Sequence, residues 1–273
     1  MKQVLVINAG HQFPQGPFDF LQTMIENERV HVRGLFFRPV DQSALAAAGA
    51  SNNITPFLKL EDKEKKLITS HKTQFARNCE QHHIPFSLHD NDGEWDKALL
   101  VKESRFADLI LISGECFYAE IEHRQPNQYL RQALRDAECP VLVIPEYFGP
   151  IQHVYIAYDG SRESIYAMKQ FCYLFPYLTD MPTEFVYVHE DAGHAIPELE
   201  NLQQFGHLKF DYLNYAKLQF NAADHFASWI SGKKNVLLVA GSFGRSKLSY
   251  IGKRSFAQDV IHDHEFPVFI AHT

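Results

Sequence analysis

The sequence predicts an α/β protein of two repeated, doubly wound domains, each a mostly parallel five-stranded sheet, packed as a pseudo-dimer. Three observations carry this. Short apolar runs without alternation, such as VLLVA at Val236–Ala240, read as strands buried on both faces. These runs alternate with stretches of helical period, the pattern of a parallel sheet covered by helices on both sides. The chain also repeats itself. The first half opens with QVLVINAG and closes with CPVLVIPE; the second opens with HVYIAYDG and closes with FPVFIAHT. Gly114 stands 26 residues before Pro140, and Gly241 stands 26 residues before Pro267. The repeat sets the domains at residues 1–146 and 151–273, joined by Tyr147–Pro150. The final strands, Val141–Ile144 and Val268–Ala271, are too apolar to remain open edges, which is the motive for the pseudo-dimer.

In the first half, Gln3–Asn8 reads as a strand, Phe18–Glu28 as a helix and Val30–Phe37 as a strand. Arg38–Leu60, with AAAGASNN in its middle, is the excess length of this half and has loop or short-helix character. Glu61–His83 has helical period, ended by His82–His83 and Pro85. Then come strand Pro85–His89, a helix near Glu94–Ser104, strand Asp108–Ile112, helix Asn127–Ala137 and strand Pro140–Ile144. The second half repeats the order. Strand His153–Tyr158 leads to helix Ser161–Leu174, capped by Ser161. Strand Glu184–His189 and helix Pro197–Phe205 follow. The alternation of Leu208, Phe210 and Tyr212 suits a strand over Leu208–Asn214. Helix Asn221–Ser231, strand Asn235–Ala240, helix Arg254–Asp263 and a last strand in FPVFIAH complete the chain.

The composition, 45% hydrophobic and 22% charged over 273 residues, suits a soluble globular protein. A net charge of −7 argues against a general nucleic-acid surface. No apolar run approaches the roughly 20 residues that span a membrane. The opening MKQVLVINAG runs straight into a strand and lacks a signal-peptide layout, so a cytoplasmic location is expected. Cys79, Cys116, Cys139 and Cys172 are scattered and form no CxxC pair; they read as small buried apolar residues in a reducing compartment.

The most informative loop is Gly241–Ser255, GSFGRSKLSYIGKRS. Gly241 and Gly244 fall where a strand ends, and glycine there lets backbone N–H groups face a ligand. Ser255 falls near the next helix start, where free N–H groups and the helix dipole favour an anion. Arg245, Lys247, Lys253 and Arg254 add four cations with no acid between them. This pattern suits a phosphate site. It equally suits an ordinary Gly-rich turn with Ser255 as helix N-cap.

The loop resembles the C-terminal signature of the universal stress protein (UspA) superfamily: glycine, two residues, glycine, nine residues, then glycine and Ser or Thr. Here Gly241, Ser242–Phe243 and Gly244 lead through nine residues to Arg254–Ser255. Arg254 stands where the family's ATP binders have their third glycine. The resemblance implies a Rossmann-like fold of the adenine nucleotide alpha hydrolase-like type, in tandem, with the two final strands paired antiparallel across a pseudo-twofold axis. It implies binding of ATP or a related nucleotide, alone or with Mg. Under it Asp159, in AYDGS, meets the ribose or base, and the backbone of Val188 meets adenine. Asp159 also fits a capping or turn-stabilising role, and Val188 an ordinary core position. The implied nucleotide-binding set is Asp159, Val188, Gly241, Ser242, Gly244, Arg254 and Ser255.

The first half lacks this set. Ala9 replaces Asp159, Phe117 replaces Gly244, and Asn127–Gln128 replaces Arg254–Ser255, while Gly114 is kept. Its loop carries Glu115, Glu120 and Glu122, which repel phosphate. It reads as a degenerate partner. The chain has no P-loop, GxSxG or HExxH, and no nucleophile with an assignable base. Of its 15 histidines, His82–His83 and His262–Asp263–His264 cluster. His262 and His264 point to different faces of a helix, so solvated or capping roles are expected and no metal site. The expectation is therefore a stress-response binding module with an unknown protein partner, and not an efficient enzyme. A further homodimer is compatible with it. The alternatives are a tandem stress protein without nucleotide, acting through protein contacts, and a slow nucleotide hydrolase in which Asp159 holds a metal.

Overall fold

The computed structural model describes residues 1–8, 12–37, 55–90, 93, 96–114, 128–189, 191, 193–219, 229–230, 232–241 and 266–271, with backbone alone at 55–61, 128, 129 and 131. The first half holds β1 (Lys2–Asn8), α1 (Gln15–Asn27), β2 (Val30–Phe36), α2 (Thr55–Gln81), β3 (Phe86–Leu88), α3 (Lys97–Ser104), β4 (Leu109–Ser113), α4 (Gln128–Asp136) and β5 (Val141–Ile144). The second holds β6 (His153–Ala157), α5 (Arg162–Leu174), β7 (Thr183–Val188), α6 (Leu199–Lys209), β8 (Leu213–Leu218), β9 (Val236–Ala240) and β10 (Val268–Ile270).

The strands form one ten-stranded sheet in the order β3-β2-β1-β4-β5-β10-β9-β6-β7-β8. Each half contributes five parallel strands in the same relative order. Among the described residues the only antiparallel pair is β5 with β10, in the register Val143 to Val268, Leu142 to Phe269 and Val141 to Ile270. The final strands thus meet across a pseudo-twofold axis as the resemblance implies, and each covers the other's edge.

Alternation along the strands feeds two layers. Val4, Val6, Val154 and Ile156 face the layer of α1, α2, α5 and α6; Leu5, Ile7, Tyr155 and Leu238 face that of α3 and α4. An aromatic seam lies where the halves meet. Phe175 packs edge-to-face on Phe20 of the first half (5.6 Å) and on Phe269 of β10 (5.7 Å). The Lys2 ammonium adds a polar tie, donating to Glu28 and to the Leu174 carbonyl, each at 2.6 Å.

Several boundaries differ from the sequence reading. α2 begins at Thr55, inside the stretch read as insertion, and ends as read before His83. His83 takes a left-handed φ of 55°, and the Ile84 N–H reaches back to the Cys79 carbonyl at 2.8 Å, a helix stop of the kind usually built on glycine. α3 starts at Lys97, where the Asp96 carboxylate caps the Ala98 N–H at 2.8 Å, rather than near Glu94. The larger correction is β8. Leu208 belongs to α6, which runs on to Lys209, and the strand is Leu213–Leu218 instead of Leu208–Asn214. Leu208 and Tyr212 are exposed, and only Phe210 of the alternating three is buried, against Phe185. The expected helices Asn221–Ser231 and Arg254–Asp263 fall largely or wholly outside the described residues. No helix among the described residues is long and apolar enough to cross a membrane.

Cys79 of α2 and Cys172 of α5 lie in the core, and Cys139 is half-buried before β5. Burial pushes all three thiols up to about 12. Iodoacetamide at pH 8 should therefore label each of them at least ~100-fold more slowly in the native chain than in urea. Site-resolved mass spectrometry checks this, and native rates close to those in urea would contradict the burial.

Candidate functional site

The carboxyl ends of β6, β7 and β9 bring three of the sequence-selected residues together. β6 lies between the other two, with Ile156 opposite Val239 of β9 and Ala157 opposite Val186 of β7. Such strand ends are where open α/β sheets hold ligands.

Asp159 follows β6. Its Oδ1 accepts the Ser161 N–H at 2.9 Å, so one carboxylate oxygen stabilises the turn. Gly160 makes that turn possible with a φ of 77°. Ser161 caps α5 as expected, its Oγ accepting the Ser164 N–H at 3.1 Å. The second oxygen of Asp159 accepts no hydrogen bond among the described residues.

Gly241 ends β9 against the first turn of α5. A Cβ on it would lie 2.9 Å from the Ser164 nitrogen and 3.0 Å from the Glu163 carbonyl carbon. Glycine is required here to bring strand and helix together, which the sequence reading had assigned to ligand approach. Gly16 plays a similar part in the first half, where a Cβ would strike the Pro145 carbonyl.

Val188 ends β7 and packs its side chain toward the α3–α4 layer. Backbone polar groups alternate sides along a strand. The Val186 carbonyl accepts the Tyr158 N–H at 3.0 Å on the β6 side, and the His189 N–H donates to Leu218 at 3.1 Å on the β8 side. Val188 therefore turns its N–H and C=O toward β6. Beyond Tyr158 no described backbone group of the β6 turn meets them.

Pro197, beyond β7, bounds the candidate site on one side. The Tyr158 hydroxyl donates to the Pro197 carbonyl at 2.9 Å, and Pro197 covers Gly160. Burial, then Glu198, Asp159 and Tyr187, pushes the Tyr158 hydroxyl up to about 12, which keeps it a donor. Burial, with Asp159 next in weight, also raises Tyr187. Sequence reasoning passed over Gly160, His189, His194 and Pro197. The DGS turn and two histidines five residues apart around DAG were the available signals.

Ser242, Gly244, Arg254 and Ser255 lie outside the described residues, as do the cations Arg245, Lys247 and Lys253. So do Ala9, Phe117 and Asn127 of the first half. There Gly114 follows β4, its N–H bonded to Ile144 at 3.1 Å. Next to the position of Ala9 the chain buries its own polar pair: the Asn8 amide donates to the Gln12 carbonyl and to His71 Nδ1, both at 3.1 Å. Among the described residues, no three His, Cys, Asp or Glu side chains are grouped to hold a metal. His82 instead meets Gln22 at 3.0 Å and the edge of Phe18.

No protein-family model matches the sequence, and no curated protein matches it. Solved structures do. A universal stress protein from Archaeoglobus fulgidus DSM 4304 superposes with a TM-score of 0.67 at 14% identity, over 99% of this chain and 96% of that one. A functionally unknown protein from Pseudomonas aeruginosa PAO1 gives a TM-score of 0.54 at 13% identity, over 100% and 92%. A candidate universal stress protein from Pseudomonas aeruginosa UCBPP-PA14 gives 0.54 at 13%, over 100% and 93%. In both halves and in the strand pair that joins them, the described chain has the fold of a universal stress protein.

Proposed function

We propose that the chain is a universal stress protein whose second half binds one adenine nucleotide, ATP or a close relative, and that it acts as a stress-response binding module. The observation that carries this reading is the backbone edge of Val188, which no described group beyond Tyr158 meets. It faces the turn that holds Asp159 and offers a donor and an acceptor side by side, the pair an adenine edge needs. The spare oxygen of Asp159 suits a ribose hydroxyl. The Gly241–Ser255 loop, with its four cations, suits the phosphates. The sequence presents no nucleophile with an assignable base, so a binding role is proposed ahead of turnover. The first half is read as structural, because the matching positions hold Ala9, Phe117 and Asn127.

A second reading, a stress protein that works through protein contacts without a nucleotide, draws on Asp159 and Pro197. One Asp159 oxygen is committed to the turn, and Pro197 takes up room above Gly160. Calorimetric titration with ATP separates the two. One site per chain is expected; two equivalent sites, or none, would overturn the proposal.

Arg254 tests the phosphate end. A long side chain where close backbone approach is wanted obstructs more than one further cation in a wet site attracts, a gain of about 1 kcal/mol at most. Arg254→Gly is therefore expected to bind ATP more tightly than the native chain. Binding weakened tenfold or more would identify Arg254 as a phosphate ligand.

A further inference from the structure

Beyond Val188, His189, Asp191 and residues 193–198 lead back to the turn after β6, over which Pro197 lies. The two ends of this return are held differently. At the far end Pro197 takes the hydrogen bond from Tyr158 and covers Gly160. At the near end the imidazoles of His189 and His194 stack, centroids 3.9 Å apart and planes within 9°. The Tyr187 ring runs alongside both, at 6.0 and 6.2 Å.

The near end works in one protonation state. The Asp191 N–H donates to His189 Nδ1 at 3.0 Å. That nitrogen therefore carries a lone pair, and the ring is the neutral tautomer with its proton on Nε2. Asp191 then folds the loop back. Its Oδ1 accepts the Gly193 N–H at 2.7 Å, and its carbonyl accepts the His194 N–H at 3.1 Å. This return sets His194 on His189. A proton on His189 Nδ1 would oppose two donors and undo the first bond of the series. Protons on both rings would set two like charges face to face.

The surrounding charges are Asp191 in the loop, Asp159 and Glu198 about Tyr158, the Tyr187 hydroxyl on β7, and Lys217, which pairs with Tyr187 in the β7–β8 register. Among the described residues none of them forms an ion pair with either ring. The Asp191 N–H and the stacked partner ring touch the imidazoles directly.

The geometry points to a proton-controlled latch on the nucleotide site. The stacked pair and the Asp191 return hold Pro197 over Gly160 while His189 and His194 are neutral, and release it when the rings take up protons. The mechanics stand on the loop alone; the consequence for ligand rests on the nucleotide reading above.

Amide hydrogen exchange of the ligand-free chain tests the mechanics. Protection factors at Gly193 and His194 are expected to fall tenfold or more from pH 7.5 to pH 5.5. His189→Asn keeps an acceptor oxygen near the place of Nδ1 and does not titrate, so its protection should be equal at both pH values. A flat native profile, or the same pH dependence in His189→Asn, overturns the latch. ATP titration at the same two pH values tests control of the site. The native chain should lose at least fivefold more affinity at pH 5.5 than His189→Asn, a comparison that cancels the titration of ATP itself. Equal losses in the two proteins overturn control of the site. If neither binds ATP while exchange behaves as expected, the nucleotide reading falls and the latch stands.

Discussion

Replacing Phe175 by alanine is expected to lower the stability of the whole chain by about 3–5 kcal/mol, the usual range for a buried phenylalanine. Phe175 is fully buried. It meets Phe20 and Phe269 edge-to-face, with ring planes 87° and 83° apart, and Phe171 at 5.7 Å. Its neighbours come from α1, α5 and β10, so the cavity opens where the halves join. None of these rings can move in to fill it without leaving its own partner. Urea unfolding followed by circular dichroism reads the effect. The midpoint should fall, and a slope reduced with it would show the halves beginning to unfold separately. Phe106→Ala is the control. That ring is 76% exposed, and its loss should change stability by no more than ~0.5 kcal/mol. A loss below 1 kcal/mol at Phe175 would mean that the seam does not hold the halves.

Gly241→Ala should act on both the fold and the site. The new methyl would stand 2.9 Å from the Ser164 nitrogen, a backbone atom that cannot rotate away. Either β9 or the first turn of α5 must shift, at a cost of about 1–3 kcal/mol. The same shift moves the Ser161 cap and the turn of Asp159 relative to the strand end. ATP affinity is expected to fall tenfold or more, measured by calorimetry at a temperature where the variant is fully folded. Gly232→Ala is the matched control, since a Cβ there meets nothing within 4 Å. Unchanged stability and affinity in Gly241→Ala would show that the strand end and the helix can separate without consequence, and would remove Gly241 from the site.

Much of the architecture was legible because burial on both faces leaves a plain signature. VLLVA and LILIS have no polar face to confuse strand with turn, and every residue of both strands is buried. Ser161 was legible as a cap because its role needs only three neighbouring residues. The placement of the candidate site was legible in part. Asp159, Val188 and Gly241 could be named from resemblance, and the strand order brings them together at neighbouring carboxyl ends of β6, β7 and β9. β8 was not legible. Leu208, Phe210 and Tyr212 alternate over too few residues to tell a strand from the last turn of a helix and the loop beyond it. The strand that forms, LNYAKL, carries Asn214 and Lys217 outward and lies at the open edge of the sheet.

The sequence by itself determined the βα order of each half, the repeat, and the helix cap that opens the second half's site, because each depends on local period or on contacts a few residues apart. Tertiary structure decided the rest. The register of β8 is set by pairing with β7, which no local pattern encodes. The aromatic seam needs Phe20 and Phe175, far apart in sequence, to arrive from opposite halves. The role of Gly241 as the point where a strand end touches a helix start, and the stacking of His194 on His189, arise only when the loops have closed. In each case the energy lies in a contact between segments, and a chain read one window at a time carries no record of it.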